Sequence, residues 1–178
     1  MMMAEEKEPK QHKGPTARPA SIRMAGPADE MAVFDLVMRD LFENAQHIAT
    51  IDPLRVMDHI RAGTQRRGGI TAVIDGQDGK PVAVTVIVPV QWAFSQAFHA
   101  QEVFNYVHPD HRSSRHAEDL IKFGNWCADE WSRNFGYQVY ILSSVLTQRK
   151  VREKLRFYRR FITQLGAIFL YPSPGEIL

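Results

Sequence analysis

The chain is short of several things, and each shortage narrows what it can do. Its 178 residues hold one cysteine, Cys127. An internal disulfide and a thiolate metal cluster are therefore excluded, and a reducing compartment is expected. It also lacks an excess of either charge: 22 Lys and Arg against 20 Asp and Glu leave +2, too little for a whole-molecule field to select partners. No apolar run is long enough for a bilayer, since the longest, residues 81–90, is interrupted by Thr85 and Pro89. The opening MMMAEEKEPKQHK has no apolar stretch of the kind a signal peptide carries. A cytoplasmic location is the expectation. Internal repeats, G-x-S-x-G and H-E-x-x-H are all missing, so nucleophilic-serine and helical-zinc chemistry have no basis here.

What remains is an ordinary globular composition, 44% hydrophobic and 24% charged, sufficient for one domain with a proper core. Residues 1–20 are rich in Lys, Glu and Pro and read as a disordered tail, which leaves 21–178 as the domain. A short strand is expected over 21–25. Pro27, Asp29 and Glu30 open a helix in which Met31, Phe34, Val37, Met38 and Leu41 recur at helical spacing. A second helix starts at Pro53, with Leu54, Met57 and Ile60 on one face. Strands follow over 70–74 and 82–88, joined by Gly76-Gln77-Asp78-Gly79, and over 98–107. A helix over 115–134 buries Ala117, Leu120, Ile121, Gly124, Cys127, Ala128 and Trp131 and stops at Gly136. A strand over 138–145, a basic helix over 148–162 and a last strand over 167–170 complete the order β-α-α-β-β-β-α-β-α-β. That is an α+β chain with a mixed central sheet and α/β/α-like layering: an antiparallel meander, then a crossover to a parallel strand.

The segment Val107 to Ile121, V-H-P-D-H-R-S-S-R-H-A-E-D-L-I, carries the strongest functional signal. It ends a strand at a Pro turn and starts an amphipathic helix, so the free N–H groups of a helix N-terminus face whatever lies beyond the strand. Such an end favours phosphate or pyrophosphate. His108, Asp110, His111 and His116 cluster in the same stretch but lack the spacing of a helical metal site, and no metal is expected.

This order and this segment resemble the GNAT (GCN5-related N-acetyltransferase) superfamily of acyl-CoA-dependent N-acyltransferases, and look nearest to its phage-encoded members. The family's V-x-P-x-x-R-x-x-G-x-G/A-x-x-L-[LI] run is matched in register by Val107, Pro109, Arg112, Ala117, Leu120 and Ile121. Arg115 stands where the family has its first Gly. The likeness covers residues 22–170. It implies the GNAT fold, acetyl-CoA or another acyl-CoA as co-substrate, and direct transfer to an amine on a small molecule or a protein. A host cytoplasm would be the location for a phage-encoded member. It also implies a pyrophosphate grip by the backbone of Arg112, Ser113, Ser114, Arg115, His116 and Ala117, with main-chain contacts from Tyr106 and Val107 to the pantetheine. Dimers are common in the family. With a negative φ, Arg115 swings outward and adds a positive charge; with a positive φ, it strains the loop by about 1 kcal/mol or more.

A second likeness lies in K-L-R-F-Y-R-R-F-I-T-Q-L-G, residues 154–166. Tyr158 matches the family's L-Y-x-x-x-G-F tyrosine, the proton donor to the leaving thiolate, although the Gly-Phe that should follow is missing. Taken on spacing alone, Tyr158 is equally a core aromatic beside Leu155 and Ile162. Glu102 occupies the strand position where several members carry a catalytic Glu. Alternation puts Phe104 and Tyr106 on its face, and a carboxylate flanked by aromatics has a raised pKa suited to a base near neutral pH. His99 and His108 are alternatives, and an edge carboxylate in water is the plain reading.

Arg149, Arg152, Arg156 and Arg159 share one face of the basic helix, opposite Val151, Leu155, Tyr158 and Ile162. A solvated face is the plain reading, with the CoA 3′-phosphate or an acidic partner as the other. Aromatics do not interleave with the basic face, so nucleic-acid reading is not expected. The functional alternative to an enzyme is a degenerate GNAT-fold protein that binds a host or virion protein.

Overall fold

The computed structural model describes residues 17–46, 49–144 and 151–162. Strand β1 (Arg23–Met24) leads through a turn at Pro27–Asp29 to helix α1 (Glu30–Asn44) and helix α2 (Pro53–Thr64). Strands β2 (Ile70–Asp75), β3 (Pro81–Gln91) and β4 (Phe98–Val107) follow, then a second short turn at Pro109–His111. Helix α3 (His116–Phe135), strand β5 (Ile141–Ser143) and helix α4 (Val151–Tyr158) complete the described elements. The expected last strand and residues 148–150 of the basic helix lie outside the described residues.

The five strands lie in sequence order in one sheet, the first three pairings antiparallel and β4–β5 parallel. Helices α1 and α2 cover one face through Val33, Val37, Val56 and Ile60 against Val73, Val84, Val86 and Phe104. Helix α3 covers the other through Leu120, Phe123 and Cys127 against Ala72, Ile74, Ala83 and Ile87. This is the layered, mixed-sheet α+β architecture read from the sequence.

Local chemistry explains the boundaries. Asp52 caps α2 by accepting the Leu54 and Arg55 amides at 3.0 and 3.3 Å, with Pro53 in the first position. Gly136 ends α3 in the left-handed region at φ 73°. Arg23 ties β1 to Asp29 and to Asp75 of β2, and Arg18 lies over Trp126 at 5.5 Å.

Two expected helix-face positions need correction. Met31 is 63% exposed and Leu54 77% exposed. The buried positions are Val33, Leu36 and Val37 in α1 and Val56 and Ile60 in α2. The rest of the expected stripes does face the core, with Val37 and Ile60 buried in it and Phe34, Met38 and Leu41 packed against it, while adjacent pairs such as Leu36-Val37 widen the apolar face beyond one spacing pattern. In α3 the expected positions do face the core, joined by the fully buried Phe123.

Candidate functional site

The site is built beyond the last described pair of β4 and β5. Pairing between them joins Ala100 to Ile141, Gln101 to Leu142 and Glu102 to Ser143. Among the described residues, Phe104 to Val107 have strand pairing only to β3. Here lies a cavity of about 460 Å³. Its wall includes Asp40, Glu43 and Asn44 from α1, Glu102, Asn105 and Val107 from β4, Arg112 and Ala117 near the start of α3, and Lys154 and Tyr158 from α4.

The β3–β4 register slips in the middle. Val86 pairs with Phe104, but Ile87 pairs with Glu102, so Val103 is the extra residue of a β-bulge. Its consequence corrects the expected face of Glu102. Val103 and Phe104 both pack into the α1/α2 core, whereas Ile87, the cross-strand partner of Glu102, belongs to the α3 core. Directly paired residues project on the same side of a sheet. Glu102 thus faces away from Phe104 and Tyr106, because simple alternation does not survive a bulge.

Glu102 is 6% exposed. Its Oε1 accepts the Tyr158 hydroxyl at 3.1 Å and its Oε2 accepts Asn105 Nδ2 at 2.8 Å. Burial pushes the carboxyl up to about 7, while hydrogen bonds from Asn105, Tyr158 and Ser143 pull it back and the charge of Asp40 raises it. Burial, followed by the neighbouring Glu102 charge, pushes the Tyr158 phenol well above its ordinary value. Asp40 is also pushed up, to about 6, by burial, against the Asn44 hydrogen bond and the charge of Lys154. Burial in turn lowers Lys154. The two expected catalytic residues are therefore in direct contact, in a setting that keeps a carboxyl near its midpoint at neutral pH.

A second cluster anchors the loop after β4. Glu43 accepts the Tyr106 hydroxyl at 2.7 Å and Arg112 at 2.6 Å. Burial opposes the Glu43 charge, but these two hydrogen bonds prevail and hold the carboxyl below its usual range. Arg112 Nε also donates to the Val107 carbonyl at 3.2 Å, and its guanidinium lies 5.3 Å from the Tyr106 ring centre. The Arg112 side chain is thus a brace between strand, loop and α1.

The loop itself is ordered by Ser114, whose hydroxyl donates to the His111 carbonyl at 2.6 Å and accepts the His116 amide at 3.2 Å. The amides of Ser113, Arg115, Ala117 and Glu118 have no partner among the described residues, as the first turn of a helix leaves them. Arg115 sits at φ −86°, a backbone any residue adopts, and its side chain is 76% exposed beside Glu118. Of the two alternatives at this position, the outward-swung one is observed. His116 forms the first turn and is partly buried.

The alternative bases lie elsewhere. His99 is buried against Trp92, with ring centres 4.3 Å apart, and its Nδ1 has no partner among the described residues. His108 turns to Asp110. Neither lines the cavity. Among the described residues, no three His, Cys, Asp or Glu side chains converge as a metal site.

Several solved structures similar to this one are acetyltransferases. One is an acetyltransferase from Trypanosoma brucei, with 16% identity and TM-score 0.58, covering 84% of this chain and 95% of that one. Another is a ribosomal-protein-alanine N-acetyltransferase from Brucella melitensis, with 15% identity and TM-score 0.57, covering 84% and 95%. A third is an aminoglycoside 6′-N-acetyltransferase from Acinetobacter haemolyticus, with 15% identity and TM-score 0.58, covering 85% and 96%. The fold is that of the GNAT acetyltransferases. No family model matches the sequence, and no curated protein matches it.

Within this GNAT fold, sequence reasoning missed Asp40, Glu43, Asn44, Asn105 and Lys154. Asp40, Glu43 and Asn44 stand at i, i+3 and i+4 on one helical face, which was a readable signal. Asn105 was hidden by the bulge, since regular alternation places it opposite Glu102.

Proposed function

We propose that the protein is an N-acyltransferase that moves an acyl group, acetyl as the first expectation, from acyl-CoA to an amine in a ternary complex. The observation that carries this reading is the buried Glu102–Tyr158 pair, 3.1 Å apart, in the wall of a cavity beyond the last described β4–β5 pair. The loop fits the co-substrate. The amides of Ser113, Arg115 and Ala117, without a partner among the described residues, converge on a helix N-terminus, a setting suited to pyrophosphate. Arg112, Ser114 and His116 shape that loop, Arg115 adds positive charge at its rim, and Tyr106 and Val107 offer the open edge of β4 to the pantetheine.

The amine nitrogen forms its bond to the thioester carbonyl carbon, and the carbon–sulfur bond breaks. Glu102, near its midpoint at neutral pH, accepts the proton that the amine gives up. Tyr158 donates its hydroxyl proton to the departing thiolate. Glu102 then returns the amine proton to the phenolate across their existing hydrogen bond, and both groups end as they began. Burial favours this return, because a phenolate in such a site is unstable.

The test is thiol release from acetyl-CoA with a panel of small amines and peptides. Glu102→Gln and Tyr158→Phe are each expected to lower turnover roughly 100-fold or more, with acetyl-CoA affinity nearly unchanged. Full activity in both variants would overturn the assignment.

A further inference from the structure

Asn105 is not accounted for by the base and acid roles, yet it touches the base. Its Nδ2 donates to Glu102 Oε2 at 2.8 Å, and Glu102 Oε1 in turn accepts the Tyr158 hydroxyl at 3.1 Å. In a regular strand, residues three apart point to opposite faces. Asn105 pairs with Thr85, while Glu102 pairs with Ile87 across the bulge, and the extra residue Val103 brings both side chains to one face.

We propose that Asn105 is a positioning residue of this site, set by the Val103 bulge to hold the Glu102 carboxylate by one oxygen while Tyr158 takes the other. This rests on the acyltransferase reading for its consequence, but its geometry stands alone. A carboxylate held at one oxygen can rotate about its last bond. Held at both, it presents a fixed edge to the cavity. Asn105 also stabilises the ionised form that a base requires, by a hydrogen bond to charge.

Other charged and titratable groups of this cavity are Asp40 and Glu43 on α1, Arg112 in the loop, and Glu153, Lys154 and Tyr158 on α4. Asp40 raises the Glu102 carboxyl further. Arg112 and Glu43 neutralise each other at 2.6 Å. None of these groups replaces an amide donor on Glu102 Oε2.

The experiment follows the Glu102 side-chain carboxyl by carbon-13 NMR across pH, in the full chain without acyl-CoA, for the wild type and Asn105→Leu. Asn105→Leu is close in volume and lacks the donor. Its midpoint is expected to rise by about one unit, the size of one hydrogen bond to a charged group. The acidic limb of kcat should move by the same amount, while KM for acetyl-CoA changes less than about twofold. An unmoved midpoint in a variant with a wild-type circular dichroism spectrum would overturn the proposal. Asn105→Ala provides the same comparison if Leu is not accommodated. A shifted midpoint in a protein that transfers no acyl group would sink the enzymatic reading and leave the role of Asn105 intact.

Discussion

Glu102 places activity and stability in opposition. Its folded-state carboxyl titrates at about 7 against an ordinary 4.5. A raised pKa contributes stability that is fully present below about 4.5 and is lost as pH rises through about 7. Asp40, raised from 3.8 to about 6, acts in the same direction over a lower window. The base function needs the ionised form, so turnover should climb through pH 7 while the fold weakens. Glu102→Gln should flatten this dependence. Between pH 5 and 8, thermal melts of the wild type should lose about 3 kcal/mol relative to the variant. Parallel melting curves for the two proteins would contradict the raised carboxyl. Cys127 is a simpler case at this scale. Fully buried and raised by burial, its thiol should react with alkylating reagents only at the rate of unfolding.

Two close approaches fix how the helices sit on the sheet. A Cβ at Gly63 would land on the Thr71 backbone amide and hydroxyl, and backbone cannot turn aside. Gly63→Ala should cost about 3 kcal/mol in denaturant unfolding. At Gly124 the same atom would meet Ile141 Cδ1 at 2.6 Å. That is the end of a side chain with rotamers to spare, so Gly124→Ala should cost clearly less. Equal losses would show that α2 and α3 are seated with the same tolerance. The Glu43 brace makes a related prediction. Glu43→Gln should cost about 1 kcal/mol, since Arg112 is half exposed and only the Tyr106 bond is shielded.

Elements were also what the sequence disclosed best. Strand β4 was read with its observed limits, and the turn and helix start after it lie within one residue of their expected places, because Pro109 acts locally on the backbone. The pairing of Glu102 with Tyr158 was legible only as two separate likenesses. Their contact depends on one inserted residue, Val103, which looks like any other strand valine. The bulge reverses which side chains accompany Glu102, replacing Phe104 and Tyr106 with Asn105. Two helix positions were misjudged, Met31 and Leu54, where an apolar residue at helical spacing was left in solvent by tertiary packing.

At the scale of the molecule, an antiparallel meander turns into a parallel pair, and the described pairing of that pair ends at Glu102 and Ser143 beside an open cavity. Helix α3 points its first turn at that opening, α1 supplies acids from one side, and α4 supplies Tyr158 from the other. The acyltransferase reading depends on this opening receiving an acyl-CoA. The most direct measurement is a thermal-shift titration of the full chain with acetyl-CoA. The account predicts a rise in melting temperature that grows with ligand and reaches about 3 kcal/mol of stabilisation at one hundred times Kd, with Glu102→Gln responding like the wild type. An unchanged melting temperature at millimolar acetyl-CoA would contradict it.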